Sequence, residues 1–313
     1  MIRIGIDVGG TGIQTGAVND EGIILAEESI ITRTDIPFPE QIRNMADSVR
    51  RIIDACGLEL KDVASVGVGI PGIASKETGE VIKCANMGWN HVPFRQEWEK
   101  LISLPLYIEN DANVAALAES VVGVSAGTSS SVFITIGTGI GSGIILNGKI
   151  WSGAHGIGGE LGHVILDLDG VPCSCGNHGC LERYCSATAL IRFAREAVQL
   201  FPDCSLLKAV DGNPDRIEAR TVIDLARTND PLASELYTKW ISYLSQAIAS
   251  VVNLLDPEVI VIGGGVSRAG AFLLEAIASR FPQYVIFKDQ PLPDLKLASL
   301  GAKAGIIGAA MLN

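Results

Sequence analysis

The sequence predicts an α/β protein with two domains and a cleft between them. The chain has 313 residues, which exceeds the size at which a single hydrophobic core usually stops growing. Strand-like and helix-like patterns alternate along it, and its 35 glycines are typical of a globular protein with many tight turns. A glycine-rich string also occurs twice, once near the start and once near the middle.

The first half opens with three strand patterns. The segments "IRIGIDVGG", "IQTGAV" and "GIILAEESI" are short, β-branched and bounded by glycine, so they predict an antiparallel meander. "PEQIRNMADSVRRIIDACG" has Ile42, Met45 and Val49 at helical spacing and predicts an amphipathic helix that stops at Gly57. "VASVGVGIPG" and "LPLYIEN" predict buried strands, and "DANVAALAES" predicts a helix with Asp111 at or beside its N-cap. The predicted order is β-β-β-α-β-β-α.

The second half repeats the opening pattern. "SVFITIGTGIGSGIIL" predicts two apolar strands around a glycine turn, helical patterns fill residues 186–256, and "EVIVIGGGVS" predicts a buried strand that turns into a helix. "GAKAGIIGAAML" predicts a small, apolar helix suited to close packing. "GTGIQTGAV" begins at Gly10 and "GTGIGSGII" begins at Gly137, so we expect two related halves; a chance match between short glycine-rich strings is the alternative.

Both glycine turns are candidate phosphate sites. Glycine allows close approach of backbone N–H groups to an anion, and a threonine hydroxyl adds a donor. Asp7 ends a strand just before the first turn, where it is placed to orient Mg²⁺ or its water ligands beside a nucleotide. A plain hairpin is the alternative for each turn, and a turn without a ligand is the alternative for "IGGGVS", which we expect under the adenosine. The candidate nucleotide-binding residues are Asp7, Gly9, Gly10, Thr11, Gly137, Thr138, Gly139 and Gly264.

A cysteine cluster predicts a metal site. Cys173, Cys175 and Cys180 follow His163 and supply the ligand set of a closed, tetrahedral, structural Zn²⁺ site. Three unrelated buried thiols are the alternative. His178 is a rival imidazole ligand, but it sits between two of the cysteines, where reaching the same ion would strain the loop. The chain has seven cysteines, and this odd count argues against a complete disulfide framework.

Charge and hydropathy exclude several function classes. The formal net charge is −11, which opposes nonspecific binding to nucleic acid and to anionic membranes. The first residues enter an apolar strand directly, without the pattern of a signal peptide, and no apolar run reaches spanning length. We therefore expect a cytoplasmic protein that binds neither nucleic acid nor membrane.

Three segments resemble a known superfamily. "DVGGTGIQTG", "ENDAN" and "ITIGTGIGSG" are similar to the phosphate 1, acidic and phosphate 2 segments of sugar kinases, Hsp70 and actin. "GGELGHVILDLDGVPCSCGNHGCLE" narrows the resemblance to the ROK family of repressors, open reading frames and sugar kinases, through an E-x-G-H element and a C-x-C-G-x-x-G-C-x-E zinc signature. The resemblance implies a duplicated ribonuclease-H-like fold that closes on ATP. We expect a smaller domain at residues 1–112, completed by 301–313, and a larger one at 113–300.

The resemblance also implies an activity, the ATP- and Mg²⁺-dependent phosphorylation of a hexose, and we expect this hexose to be glucose and the product to be glucose 6-phosphate. Asp111 is then the catalytic base, although an aspartate here also suits a purely structural N-cap. The implied sugar-binding residues are Gly72, Asn86, Asn110, Asp111, Glu160, His163 and Glu182. Taken singly, either glutamate could be a solvated surface charge. One nitrogen of His163 would bind zinc and the other a sugar hydroxyl.

The sequence leaves several alternative functions open. N-acetylmannosamine, allose, fructose and mannose kinases share nearly all of these residues. A sugar-sensing repressor would carry a helix-turn-helix region before the first phosphate strand, and only six residues precede Asp7 here. An actin-like ATPase would have no use for the zinc signature or the sugar residues. The family suggests a homodimer or homotetramer.

Overall fold

The computed structural model describes residues 1–313. The strands are β1 (Ile2–Val8), β2 (Gly12–Val18), β3 (Ile24–Ile31), β4 (Val63–Ile70), β5 (Ile73–Ala74), β6 (Val81–Cys84), β7 (Trp89–Val92), β8 (Leu106–Asn110), β9 (Ser130–Ile136), β10 (Ile140–Leu146), β11 (Lys149–Ile150), β12 (Val259–Gly263) and β13 (Asp294–Leu297). The α-helices are α1 (Phe38–Ala55), α2 (Phe94–Glu99), α3 (Asp111–Val121), α4 (Glu182–Cys185), α5 (Ala187–Leu200), α6 (Ser205–Lys208), α7 (Ala219–Arg227), α8 (Pro231–Leu255), α9 (Ala271–Ala278) and α10 (Ala304–Ala310).

Two five-stranded sheets share one topology. The first has the order β3-β2-β1-β4-β8 and the second the order β11-β10-β9-β12-β13. Numbered along the chain within each sheet, both read 3-2-1-4-5. A chance match between two short strings would not reproduce a whole strand order, so the prediction of a duplicated fold is confirmed.

The first sheet brings the ends of three strands to one edge. The predicted meander is present, with β1 antiparallel to β2 and β2 antiparallel to β3. β1, β4 and β8 run parallel, with Asp7 opposite Gly69 and Ile70 opposite Asn110. Since the carboxyl ends of parallel strands meet at the same edge, the first glycine turn and the "ENDAN" segment lie at one edge of the sheet, with the end of β4 between them.

Helices cover this sheet through apolar faces. α1 buries Ile42, Met45 and Val49 completely, and the chain leaves it at Gly57 with φ +66°, as the sequence predicted. α10 is the small apolar helix expected at the end of the chain. A Cβ atom on Gly67 would lie 1.8 Å from the carbonyl oxygen of Ala309, so the backbone of α10 rests directly on β4.

The structure differs from the predicted element order in two places. A third sheet, β5-β6-β7, and helix α2 occupy residues 73–99, where no element was predicted. Strands of two to four residues are too short to show a period. After β12 the predicted turn into a helix is present as a short 3-10 helix at Gly265–Ala269, and the α-helix α9 begins only at Ala271.

Contacts within the chain divide it into two compact units. The first unit contains Met1–Phe133, Gly143–Gly159 and Ser299–Asn313, and the second contains Ile134–Ser142 and Glu160–Ala298. No helix has the length and apolar character that crossing a bilayer requires.

Candidate functional site

The first glycine turn is tight and anchored from a neighbouring strand. The Gly9 N–H donates to the carbonyl of Gly12 at 2.9 Å, and a Cβ on Gly9 would lie 2.8 Å from that oxygen. The hydroxyl of Thr32 donates to the carbonyl of Gly9 at 2.7 Å, and its backbone N–H donates to Thr11. Sequence reasoning missed Thr32, because a residue at the end of β3 shows no signal of this contact.

Asp7 lies at the end of β1 in a confined, acidic position. Burial, and then the nearby charge of Asp111, raise the pKa of Asp7 from 3.8 to about 6. A Cβ on Gly305 would lie 2.3 Å from the Asp7 carboxylate, so the glycine of α10 leaves the space that this side chain fills. Asp7 and Asp111 therefore form a pair of interacting carboxylates at one edge of the sheet.

The "ENDAN" segment turns from β8 into α3 through a helix cap. The side chain of Asn110 accepts hydrogen bonds from the N–H groups of Ala112 at 2.9 Å and Asn113 at 3.2 Å, so Asn110 is the N-cap. Asp111 is the first helical residue, beside the cap as the sequence allowed, and its carboxylate accepts from the Ala112 N–H at 2.8 Å. The positive end of α3 therefore faces the Asp111 carboxylate.

Gly72 and Asn86 lie near these residues in the first unit. The side-chain amide of Asn110 donates to the carbonyl of Gly72 at 3.3 Å. A Cβ on Gly72 would lie 2.1 Å from the carbonyl of Lys83, so only glycine permits this approach of β6. A Cβ on Gly10 would lie 3.7 Å from the Asn86 amide, which places Asn86 against the first glycine turn.

Glu109 is a buried residue that sequence reasoning missed. Its carboxylate is 5% exposed and accepts hydrogen bonds from the Asn110 N–H and the Asn113 side-chain amide, both at 3.0 Å. Lys76 forms an ion pair with it at 2.8 Å. A charged residue inside the apolar "LPLYIEN" strand was the available signal, because an ionised group is rarely buried without a partner.

The second glycine turn is tied to the start of α5. The Gly137 N–H donates to the carbonyl of Gly139 at 3.0 Å, which parallels the closed turn at Gly9. The Ala187 N–H donates to Gly137 at 2.9 Å, and the hydroxyl of Thr188 donates to the carbonyl of Thr138 at 2.7 Å. Gly264 has φ +80° and lies against the backbone of Ile136, where a Cβ would come within 2.4 Å of its carbonyl oxygen.

The four predicted metal ligands form one cluster. The ligand atoms of His163, Cys173, Cys175 and Cys180 all lie within 4.8 Å of one another. The sulfurs of Cys175 and Cys180 are 3.5 Å apart, and His163 Nδ1 is 3.8 Å from the sulfur of Cys173. Tetrahedral coordination with Zn–S bonds of about 2.3 Å separates two sulfurs by about 3.8 Å. The donor set and its spacing therefore fit a tetrahedral metal ion.

The loop of residues 173–180, here called the cluster loop, depends on two glycines with a left-handed backbone conformation. Gly176 has φ +98° and Gly179 has φ +69°, in the positions where the sequence predicted sharp turns. A Cβ on Gly179 would lie 1.5 Å from the carbonyl of Asp167, so no other residue fits there. The Asn177 N–H lowers the pKa of the Cys175 thiol, which favours the thiolate that binds metal. His178 lies outside the cluster.

Glu160 and Glu182 lie on either side of the cluster in the sequence. Glu160 is exposed and precedes the 3-10 turn Leu161–His163, and the His163 N–H donates to its carbonyl at 3.0 Å. Glu182 begins α4, where one carboxylate oxygen is 3.3 Å from the sulfur of Cys173 and the other accepts from the Ile140 N–H at 3.4 Å. Glu182 thus touches both the metal cluster and the residue after the second glycine turn.

Comparison with known proteins identifies the family. The ROK family model matches residues 3–313. A glucokinase from Streptomyces coelicolor is 34% identical, over 99% of this chain and 97% of its own length. The crystal structure of a ROK family glucokinase from Streptomyces griseus in complex with glucose and AMPPNP is 34% identical, with a TM-score of 0.81 and coverage of 99% and 98%. A ROK hexokinase from Thermus thermophilus is 32% identical, with a TM-score of 0.82 and coverage of 99% and 97%. The chain belongs to the ROK family and has its actin- and hexokinase-like fold.

Proposed function

We propose that this chain phosphorylates glucose with ATP and forms glucose 6-phosphate. The observation that carries the proposal is its similarity, over nearly the whole of both chains, to the Streptomyces griseus glucokinase whose structure holds glucose and AMPPNP. The strand ends of the first sheet place two carboxylates and a capped helix start beside a glycine turn, which is an arrangement suited to phosphoryl transfer.

Asp111 is the proposed catalytic base. Its carboxylate takes the proton of the attacking sugar hydroxyl as that oxygen bonds to the γ-phosphorus, and ADP leaves with the bridging oxygen. Asp111 lies at the start of a helix and at a strand end, so its backbone is fixed from both sides. This rigidity orients the base without any rearrangement at the moment of reaction.

Both glycine turns are proposed to hold the nucleotide phosphates. Gly9, Gly10 and Thr11 form the first set, and Gly137, Thr138 and Gly139 the second, with Gly264 proposed to lie under the adenosine. Mg²⁺ that enters with ATP would neutralise phosphate charge. Asp7 is the carboxylate next to the first turn, and its oxygen ligands suit this hard cation or its water shell.

The proposed sugar-binding residues are those that the resemblance to the ROK family implies. They are Gly72, Asn86, Asn110, Glu160, His163 and Glu182. Carboxylates and amides bind vicinal hydroxyl groups well because they offer two polar atoms in one plane.

A Zn²⁺ ion is proposed to hold the cluster loop in a structural role. Three thiolates and one imidazole would hold the ion in a tetrahedral shell and would leave no open position for catalysis. His163 faces the sulfurs with Nδ1, so Nε2 remains for a hydrogen bond to a sugar hydroxyl. Zinc would thereby fix the orientation of His163 and of Glu182, which touches Cys173.

Three further expectations stay proposals: a cytoplasmic location, a homodimer or homotetramer, and domain boundaries at residues 1–112 with 301–313 and at 113–300. Sedimentation velocity of the purified chain measures the assembly directly.

The proposed activity is tested by coupling the reaction to glucose 6-phosphate dehydrogenase. This enzyme reduces its cofactor only when the 6-phosphate forms, so the signal identifies the product as well as the turnover. Absorbance that rises only with protein, Mg-ATP and glucose together supports the proposal. ATP hydrolysis that glucose does not stimulate would instead favour an ATPase of the actin type.

A further inference from the structure

One oxygen of the buried Glu109 carboxylate depends on a single cation. Oε1 of Glu109 accepts both neutral hydrogen bonds, from the Asn110 N–H and the Asn113 amide, whereas Oε2 meets only Lys76 Nζ, at 2.8 Å. The Glu109 side chain is 6% exposed and that of Lys76 is 54% exposed. A surface lysine therefore supplies the charge and the hydrogen-bond donor for one oxygen of a carboxylate that is almost inaccessible to water.

The turn that carries Lys76 is held firmly. Residues 75–80 connect β5 to β6, and the Gly79 N–H donates to the carbonyl of Ser75 at 2.8 Å. The guanidinium of Arg95 on α2 donates to the carbonyls of Glu77 and Lys76, at 2.8 Å and 3.3 Å. The backbone of Lys76 is thus fixed over Glu109 by a helix outside the turn.

A second buried carboxylate, on helix α3 that follows β8, shows that a cation is not generally required. Glu119 of α3 is fully buried and accepts from the N–H groups of Val124, Ser299 and Leu300 and from the hydroxyl of Ser299. Four donors distributed over both oxygens stabilise that charge without a lysine. Glu109 has two donors, both on one oxygen, so the other oxygen relies on Lys76.

We propose that Lys76 is a positioning residue for the segment that carries the proposed catalytic base, and that it acts through Glu109 on Asn110 and Asp111. The inference rests on the proposed function. Without the lysine, Oε2 of the buried carboxylate has no donor, and rotation of the carboxylate toward another donor displaces Oε1. Oε1 holds the Asn110 N–H and the Asn113 side chain at the point where β8 becomes α3. Asp111 is the next residue along, so its carboxylate moves with the segment.

The test compares four variants by steady-state kinetics and by urea unfolding. Lys76→Met removes the cation, and Lys76→Arg keeps it. Lys76→Met with Glu109→Gln removes both charges, while the amide oxygen of glutamine still accepts from Asn110 and Asn113. Lys83→Met on the neighbouring strand β6 is the matched control, because Lys83 is exposed and forms no ion pair.

We expect Lys76→Met to lower kcat/KM for glucose about tenfold, since small displacements of a catalytic group have effects of this size or larger. Lys76→Arg should stay within about threefold of the wild type, and the double variant should exceed Lys76→Met by about threefold or more, because the pair is coupled. Lys83→Met should match the wild type.

Two results would overturn the inference. One is a Lys76→Met variant that loses unfolding free energy but keeps kcat/KM within about twofold of the wild type, which marks a stabilising role alone. The other is a Lys76→Arg variant as impaired as Lys76→Met. A wild-type protein without glucose-dependent turnover refutes the proposed function itself, whereas an active wild type with an unimpaired Lys76→Met variant refutes only the role of Lys76.

Discussion

The Asp7 carboxylate is expected to destabilise the free protein at neutral pH, and Asp7→Asn should remove this penalty. The folded state raises the pKa of Asp7 from 3.8 to about 6, through burial and then the charge of Asp111. Each tenfold change in acidity corresponds to about 1.4 kcal/mol, so the ionised carboxylate costs the folded state about 3 kcal/mol. The penalty is absent below the unfolded pKa of 3.8, grows as the pH rises, and is complete above about pH 6.

Urea unfolding of ligand-free protein at several pH values measures this effect. At pH 8, in Mg²⁺-free buffer without a metal chelator, Asp7→Asn should unfold with up to about 3 kcal/mol more free energy than the wild type, and the gain should vanish toward pH 4. The variant should lose glucose-dependent turnover, because it lacks the carboxylate beside the first phosphate turn. This combination is the expected trade between stability and function at a binding site.

Asp20→Asn is the control with the opposite sign. The N-terminal amine and Arg3 lower the pKa of this exposed carboxylate, so its removal should reduce stability at neutral pH rather than increase it. An Asp7→Asn protein no more stable than the wild type at pH 8, or equally stabilised at pH 4 and pH 8, would show that the ionised Asp7 carboxylate does not destabilise the folded state.

Three further variants test other parts of the account. Asp111→Asn should lower kcat at least about a hundredfold, the usual contribution of a general base, while calorimetry shows glucose binding retained; unchanged turnover would remove Asp111 as the base. Cys175→Ser should lower the zinc content and raise KM for glucose, whereas Cys204→Ser, outside the cluster, should do neither; full sugar affinity in zinc-free protein would contradict the structural role of the metal. Gly67→Ala should lower the unfolding free energy by about 3 kcal/mol or more, because its Cβ would lie 1.8 Å from the Ala309 carbonyl oxygen. Gly265→Ala is the control and should have little effect, because the space around Gly265 is open. Equal stability of the two variants would contradict the packing of α10 on β4.

Local patterns predicted those parts of the fold that depend on local chemistry. The meander, the end of α1 at Gly57 and the repeated strand-turn-strand unit follow from glycine positions and alternating apolar residues, and the structure contains all three. The sheet β5-β6-β7 was missed because strands of two to four residues have no measurable period. Its formation depends on long-range packing, such as the contact of Gly72 with Lys83.

In the candidate site, too, local patterns predicted some residues, whereas others depend on contacts between distant parts of the chain. The spacing of Cys173, Cys175 and Cys180 indicated a metal cluster, and their sulfurs lie together with His163 Nδ1. Thr32 and Lys76 act on residues 23 and 33 positions away, so no local pattern could reveal them. Those contacts exist only because the topology places β3 beside β2 and the β5–β6 turn beside β8.

The identity of the sugar substrate is tested most directly by measuring Mg-ATP-dependent ADP release with glucose, mannose, fructose, allose, N-acetylglucosamine and N-acetylmannosamine, using protein whose metal content has been measured. We expect the highest kcat/KM with glucose. A higher kcat/KM with another of these sugars would contradict glucose as the substrate, and release that none of them stimulates would contradict the assignment as a hexose kinase.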